Sequence, residues 1–213
     1  MANQLPGEEK VLLFIGDSIT DANRLMSPDG LGWGYVHFIF ECIRIKYPEL
    51  RLRFINRGIS GNRLADLELR WQKDCINMQP DYVSILIGIN DTWRIFDQGM
   101  DSPIHEYEAR YRNLLQQIKT QTQAEIILCS PFVLPDPPDR ANWRKDVNAR
   151  IAVTEKLAEE FKTKLVPFDQ LFDTAAKSAS CLHWLTDGVH PTKDGYELMS
   201  DLWLQVFMED ADS

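Results

Sequence analysis

An α/β fold, with a five-stranded parallel sheet covered by helices on both faces, is what this 213-residue sequence predicts. Three observations carry the prediction. Short apolar runs alternate with longer amphipathic segments along the whole chain. Parallel strands need crossovers of the length those segments supply, and each crossover is expected to be right-handed. Several apolar runs also stop abruptly in glycine-containing polar segments, the place where sheets of this kind bind ligands.

The elements follow in order. Residues 11–15 (VLLFI) are a buried first strand ending at Gly16. Residues 34–47 have helical spacing, and Pro48 marks the end. Residues 52–56 alternate as a second strand, and residues 64–78 place Leu64, Leu67, Trp71 and Cys75 on one helical face. YVSILI, residues 82–87, is a third strand bounded by Pro80-Asp81 and Gly88. Residues 104–121 are a helix with Tyr107, Tyr111, Leu114, Leu115 and Ile118 as its apolar stripe, and residues 125–129 are a fourth strand stopped by Ser130-Pro131. The proline-rich stretch 131–142 is a loop, 143–161 a helix, 164–167 a short fifth strand and 170–178 a further helix. Residues 187–192 form a loop before a last helix, 193–207, and the acidic tail 209–213 is expected to fray. No linker or internal repeat interrupts this pattern, so residues 1–213 are read as a single domain.

Bulk composition narrows the function. The net charge of −9, with no basic stripe, argues against nucleic acid and against an anionic membrane surface. MANQLPGEEK lacks a basic n-region and a long apolar h-region, so the expected location is cytoplasmic. Cys42, Cys75, Cys129 and Cys181 lie far apart, without CxxC or metal-ligand spacing, as reduced thiols of a cytosolic protein would. No GxxxxGK[ST] phosphate cradle occurs.

Four polar segments are brought to one rim by this topology: Gly16-Asp17-Ser18 after the first strand, NRGISGNR after the second, GIND after the third, and TDGVHPT before the last helix. Taken singly, each has a plain structural reading as a turn or a helix cap. Ser18 has the place of a nucleophile. Asp187, three residues before His190, can turn back to accept a ring N–H and set the tautomer of His190. The other histidines lack such a partner: His37 lies within a helix, His105 at the start of one, and His183 in a loop beside Trp184. Gly61 can expose its backbone N–H, Asn90 can donate its side-chain amide, and the Ser18 N–H is a third donor to an oxyanion.

In their order these blocks resemble the SGNH hydrolase superfamily, the GDSL esterases, over nearly the whole chain. The resemblance implies a three-layer α/β/α, flavodoxin-like doubly wound sheet (the SGNH hydrolase fold). It implies Ser18 as nucleophile, His190 as general base and acid, and Asp187 as its orienting carboxylate, with Ser18, Gly61 and Asn90 forming the oxyanion hole. Ile19 stands where the family name has leucine. Of two nearby glycines, Gly58 and Gly61, the stretch ISGN favours Gly61.

FIGDSITD, RGISGNRLADLELRWQKD, PDYVSILIGINDTWR and the DGVHP loop further resemble bacterial intracellular acetylxylan and xylo-oligosaccharide esterases. That group carries a tryptophan directly before its triad aspartate; here Thr186 holds the position and Trp184 lies two residues earlier. The expected function is hydrolysis of small acyl esters, acetylated sugars foremost, through an acyl-serine, with neither cofactor nor metal. A lysophospholipase, a thioesterase or a general aryl esterase is the alternative within the class. A metal-dependent phosphoesterase using Asp17, Asn90, Asp187 and His190, or a non-catalytic sugar-binding protein, is the alternative outside it. Asp17, Trp33, Trp93, Arg94 and Trp184 are candidate substrate contacts. For Asp17 the competing task is holding the turn, and for Arg94 it is pairing with Asp91 or Asp17. The same resemblance suggests a homo-oligomer.

Overall fold

The computed structural model describes residues 9–209. The leading residues 1–8 and the tail 210–213, on which the expectation of fraying falls, lie outside the described residues. Strands β1 (Lys10–Gly16), β2 (Leu52–Gly58), β3 (Tyr82–Leu86), β4 (Glu125–Cys129) and β5 (Lys164–Val166) form one parallel sheet in the order β2-β1-β3-β4-β5. The chain runs from β1 out to β2, then crosses back past β1 to β3. The topological switch point is therefore at the carboxyl ends of β1 and β3, where ligand sites form in such sheets.

Helices α1 (Ser18–Asp21), α2 (Tyr35–Lys46), α3 (Leu64–Asp74), α4 (Ile89–Gln98), α5 (Ile104–Gln121), α6 (Arg144–Phe161), α7 (Phe168–Ala175), α8 (Cys181–Trp184) and α9 (Lys193–Met208) connect and cover the strands. Alternation along β1 builds both outer layers. Leu12 and Phe14 pack into one buried cluster with Tyr35 and Ile39 of α2 and Trp203 of α9. Leu13 and Ile15 pack into the other, with Leu67 and Trp71 of α3 and Tyr111 and Leu115 of α5. Ser84, in the middle of apolar β3, accepts the Trp203 indole N–H at 3.0 Å, so each buried polar group satisfies the other.

The strands and α5 follow the sequence expectation closely. The helix expected over 64–78 stops at Asp74 and continues as a 3-10 turn, Ile76–Met78. The one expected over 170–178 begins earlier, at Phe168. The proline-rich 131–142 segment has no strand or α-helix, but it holds a cis Asp136–Pro137 bond and a 3-10 turn, Pro138–Trp143. Helix α4 is not among the expected elements. Its first turn, Ile-Asn-Asp-Thr, has the composition of a loop, and it becomes helical because that polar turn is buried and bonded to its neighbours.

Candidate active site

Close packing at the switch point delivers Ser18. A Cβ on Gly16 would lie 2.3 Å from the Leu86 carbonyl oxygen, so only glycine lets β1 and β3 end side by side. Asp17 then caps α1: its Oδ1 accepts the Ile19 N–H at 3.0 Å, which turns the chain sharply and leaves Ser18 as the first helical residue. The Ser18 N–H consequently has no acceptor within its own helix. Asp17 is fully buried. Its carboxylate is used in the competing task that the sequence offered, holding the turn. Desolvation pushes its carboxyl up to about 7, and Oδ2 is buried without a hydrogen-bond partner.

The TDGVH loop brings His190 to Ser18. Leu185 bridges to Pro191, and the Thr186 N–H donates to the His190 carbonyl at 2.8 Å, closing a tight turn around Gly188 at φ +82. A Cβ on Gly188 would lie 2.6 Å from the carbonyl oxygens of both Leu134 and Asp136, so the loop sits directly on the proline-rich segment. Within the turn, Asp187 Oδ1 accepts the N–H groups of Val189 (3.0 Å) and His190 (2.8 Å), and Oδ2 faces His190 Nδ1 at 2.8 Å. A carboxylate only accepts, so Nδ1 carries the proton and Nε2 presents a lone pair. The Ser18 hydroxyl lies 2.9 Å from that Nε2 and donates to it.

The electrostatics match this arrangement. Partial burial pushes the Asp187 carboxyl up. The hydrogen bonds and charge of His190 outweigh that and hold it down to about 2. The hydrogen bond that His190 donates to Asp187 raises its imidazole above the usual value, against the opposing effect of burial.

The oxyanion candidates are tied to the same rim. The Ile59 N–H donates to the Gly16 carbonyl, and Asn62 N–H closes a turn onto Ile59 O at 3.2 Å. Gly61, third in that turn at φ +81, occupies the position where a type II turn calls for glycine. A Cβ there would meet open space, with Arg94 Nη2 4.0 Å away, so backbone conformation rather than crowding selects glycine. Gly58 differs: a Cβ would lie 2.2 Å from the Asp21 nitrogen, which makes it a packing glycine. Asn90, buried in the first turn of α4, donates from Nδ2 to the Asn62 carbonyl at 3.1 Å, a bond that uses one of its two amide hydrogens.

The remaining candidates separate. The Trp93 ring lies 5.9 Å from the His190 ring and packs beside it. Arg94 pairs with Asp97 rather than with Asp91 or Asp17, and stays at the rim near Gly61. Trp33 is 52% exposed beside His37, free to meet a ligand. Trp184 donates its indole N–H to the Ala175 carbonyl at 3.0 Å, fastening α8 to the end of α7. His37 pairs with Asp29 and His183 with Asp194. Among the described residues no group of three His, Cys, Asp or Glu gathers at metal-binding reach. No described helix is long and apolar enough to cross a membrane.

Several supporting residues carry no local sequence signal. Arg70 of α3 reaches the carbonyls of Gly16 (3.1 Å) and Arg57 (2.8 Å) and the Asn62 side chain (2.8 Å), clasping the ends of β1 and β2 to the Gly61 turn. Asp91 accepts the Leu64 N–H at 3.0 Å, and burial raises its carboxyl to about 6. Arg150, fully buried, joins Asp146 to Thr92 and holds α4 against α6. Arg140 bonds the triad loop itself, donating from Nε to the Asp187 carbonyl at 3.2 Å.

Comparison with known proteins agrees with this geometry. The profile of the GDSL-like lipase/acylhydrolase family matches residues 14–198. An acetylxylan esterase of Geobacillus stearothermophilus is 37% identical over 211 residues, 93% of this chain and 94% of that one. The crystal structure of Axe2, an acetylxylan esterase from Geobacillus stearothermophilus, superposes with a TM-score of 0.83 at 35% identity, covering 94% of this chain and 95% of the other. The crystal structure of a protein described as a GDSL-like lipase from Parabacteroides merdae superposes with a TM-score of 0.88 at 37% identity, covering 94% and 97%. Structures of the Geobacillus enzyme described as catalytic mutants replace a serine, an aspartate and a histidine, the last two three positions apart. A further one replaces a tryptophan directly before that aspartate, where this chain has Thr186.

Proposed function

The chain belongs to the GDSL-like lipase/acylhydrolase family, and from that premise we propose that Ser18, His190 and Asp187 hydrolyse acetyl esters of short xylan-type oligosaccharides. It is a carboxylic ester hydrolase. The observation that carries the residue assignment is the unbroken hydrogen-bonded row from Ser18 Oγ through His190 to Asp187, at 2.9 and 2.8 Å.

Ser18 Oγ attacks the ester carbonyl as Nε2 takes its proton. Asp187 keeps the proton on Nδ1 and stabilises the imidazolium that results. The oxyanion is held by the Ser18 and Gly61 N–H groups and by the free amide hydrogen of Asn90. Nε2 returns its proton to the departing sugar alcohol, and acetyl remains on Ser18 as an ester. Water attacks that ester by the same route, releasing acetate and restoring the serine. Neither cofactor nor metal takes part.

Asn90→Ala is expected to lower kcat by roughly 10² to 10³ with little change in KM, the loss typical of one oxyanion donor. Steady-state kinetics on p-nitrophenyl acetate read it, and an unchanged kcat would remove Asn90 from the oxyanion hole.

The unpaired cysteines, with Cys75 and Cys129 buried, support a reducing, cytoplasmic compartment. The two buried clusters on one continuous sheet support one domain. The family resemblance supports a homo-oligomer, which light scattering tests. The substrate assignment rests on the relative's activity and is tested by acetate release from acetylated xylo-oligosaccharides, other acetylated sugars, and aryl and fatty esters of graded acyl length. Preference for acetylated xylo-oligosaccharides is the expected result. Faster turnover of long-chain acyl esters would replace this reading with a lysophospholipase or thioesterase.

A further inference from the structure

We propose that Arg140 is a positioning residue for the hydrolysis: it fixes the Asp187–His190 loop from outside and places a permanent cation beside the base. The inference rests on the assignment of His190 as the base. Arg140 belongs to the 3-10 turn of the proline-rich segment, far in sequence from every catalytic candidate. Its guanidinium carbon lies 4.7 Å from the Trp93 ring centroid and 4.0 Å from that of Trp143. Those two indoles are 5.1 Å apart and tilted by 56°, so the guanidinium sits in the wedge between them. A planar cation held between aromatic faces keeps its charge with little water around it. Its side chain is 12% exposed.

Two contacts aim this wedge at the triad. Nε donates to the Asp187 carbonyl, and the Arg140 Cγ stem would lie only 3.1 Å from a Cβ on Gly188. Arg140 therefore closes over the one turn that sets both the Asp187 carboxylate and the His190 ring. Trp93 contacts both the Arg140 guanidinium, at 4.7 Å from its ring centroid, and the His190 ring, at 5.9 Å between centroids. The base is thus enclosed by charged groups of both signs. Asp187 on its own loop and Asp17 from the β1–α1 turn favour the imidazolium, and Arg140 disfavours it. Asp139, the ion-pair partner of Arg140, is 61% exposed and turned to water. Without the cation, the Asp187 carboxylate, joined by Asp17 once that group ionises at about 7, would hold His190 protonated to higher pH, where it accepts nothing from Ser18.

The test uses Arg140→Met, which keeps the stem against the loop and the indoles, and Arg140→Lys, which keeps the charge but loses the fork and its bond. Profiles of kcat/KM against pH on p-nitrophenyl acetate are recorded with thermal unfolding curves. For Arg140→Met the acid limb is expected to move up by roughly half a pH unit, the effect of one charge a few ångströms away through a partly aqueous medium. Its kcat should fall by about 10- to 100-fold from lost alignment, with KM changed less than about threefold. Arg140→Lys should leave the acid limb in place and recover part of kcat. An acid limb unmoved in Arg140→Met, or moved equally in both variants, overturns the proposal, since a purely structural arginine would lower Tm and rate without shifting it. Ser18→Ala run in parallel separates the two assignments: activity surviving there would overturn the triad itself, whatever Arg140 does.

Discussion

Ser18→Ala is expected to lower kcat for p-nitrophenyl acetate by at least about 10⁴-fold, the scale on which a triad nucleophile acts. The physical case is that Oγ has one partner, His190 Nε2, and removing it leaves the rest of the turn in place. Asp17 still caps Ile19, and alanine serves at a first helical position as well as serine does. Tm should therefore stay within about 2 °C, because no buried group loses its hydrogen bond. Residual hydrolysis over water would come from the Gly61 and Asn90 donors, which still meet the ester oxygen. Acyl-enzyme trapping gives the independent reading: a serine-directed phosphonate should label the wild-type chain at Ser18 and leave the alanine variant unlabelled. Labelling elsewhere with activity retained would remove Ser18 from the chemistry.

What the sequence made legible follows from where the signals are local. β1, β4 and α5 are marked by apolar runs or stripes bounded by glycine or proline, and the structure places them accordingly. The same locality exposed the site, because Ser18, Gly61 and Asn90 follow strand ends and Asp187 lies three residues from His190. Helix α4 escaped because asparagine, aspartate and threonine favour loops until something buries and bonds them. Here Leu64 N–H on Asp91 and Arg150 on Thr92 do so, from 27 and 58 residues away. The arginines escaped for the same reason. Arg70 grips Gly16 across 54 residues and Arg140 grips Asp187 across 47. Neither separation leaves a pattern in a single sequence. The Trp184 indole N–H bond to Ala175, nine residues away, was equally invisible in the sequence.

Asp187→Asn should cost about 10³- to 10⁴-fold in kcat while sparing most of the fold, and the reason lies in how the carboxylate divides its work. Oδ1 accepts the Val189 and His190 N–H groups that form the turn, and an asparagine carbonyl can keep both. Oδ2 faces His190 Nδ1, and there the amide NH₂ would be a donor. The imidazole answers by carrying its hydrogen on Nε2, so the nitrogen facing Ser18 has no lone pair and the base is lost with its ring still in place. Asp187→Ala removes the turn bonds as well and should lose more Tm than the asparagine variant at a similar rate. Stability separates the two functions through pH. The folded carboxyl sits at about 2, below its ordinary value, so its contribution is present above about pH 4 and fades as pH falls through 2. The Tm advantage of wild type over Asp187→Asn should shrink over that interval. Because the two residues act as one unit, adding Asp187→Asn to His190→Ala should slow the enzyme little further. Independent, multiplying losses in the double variant would mean that Asp187 does not act through His190.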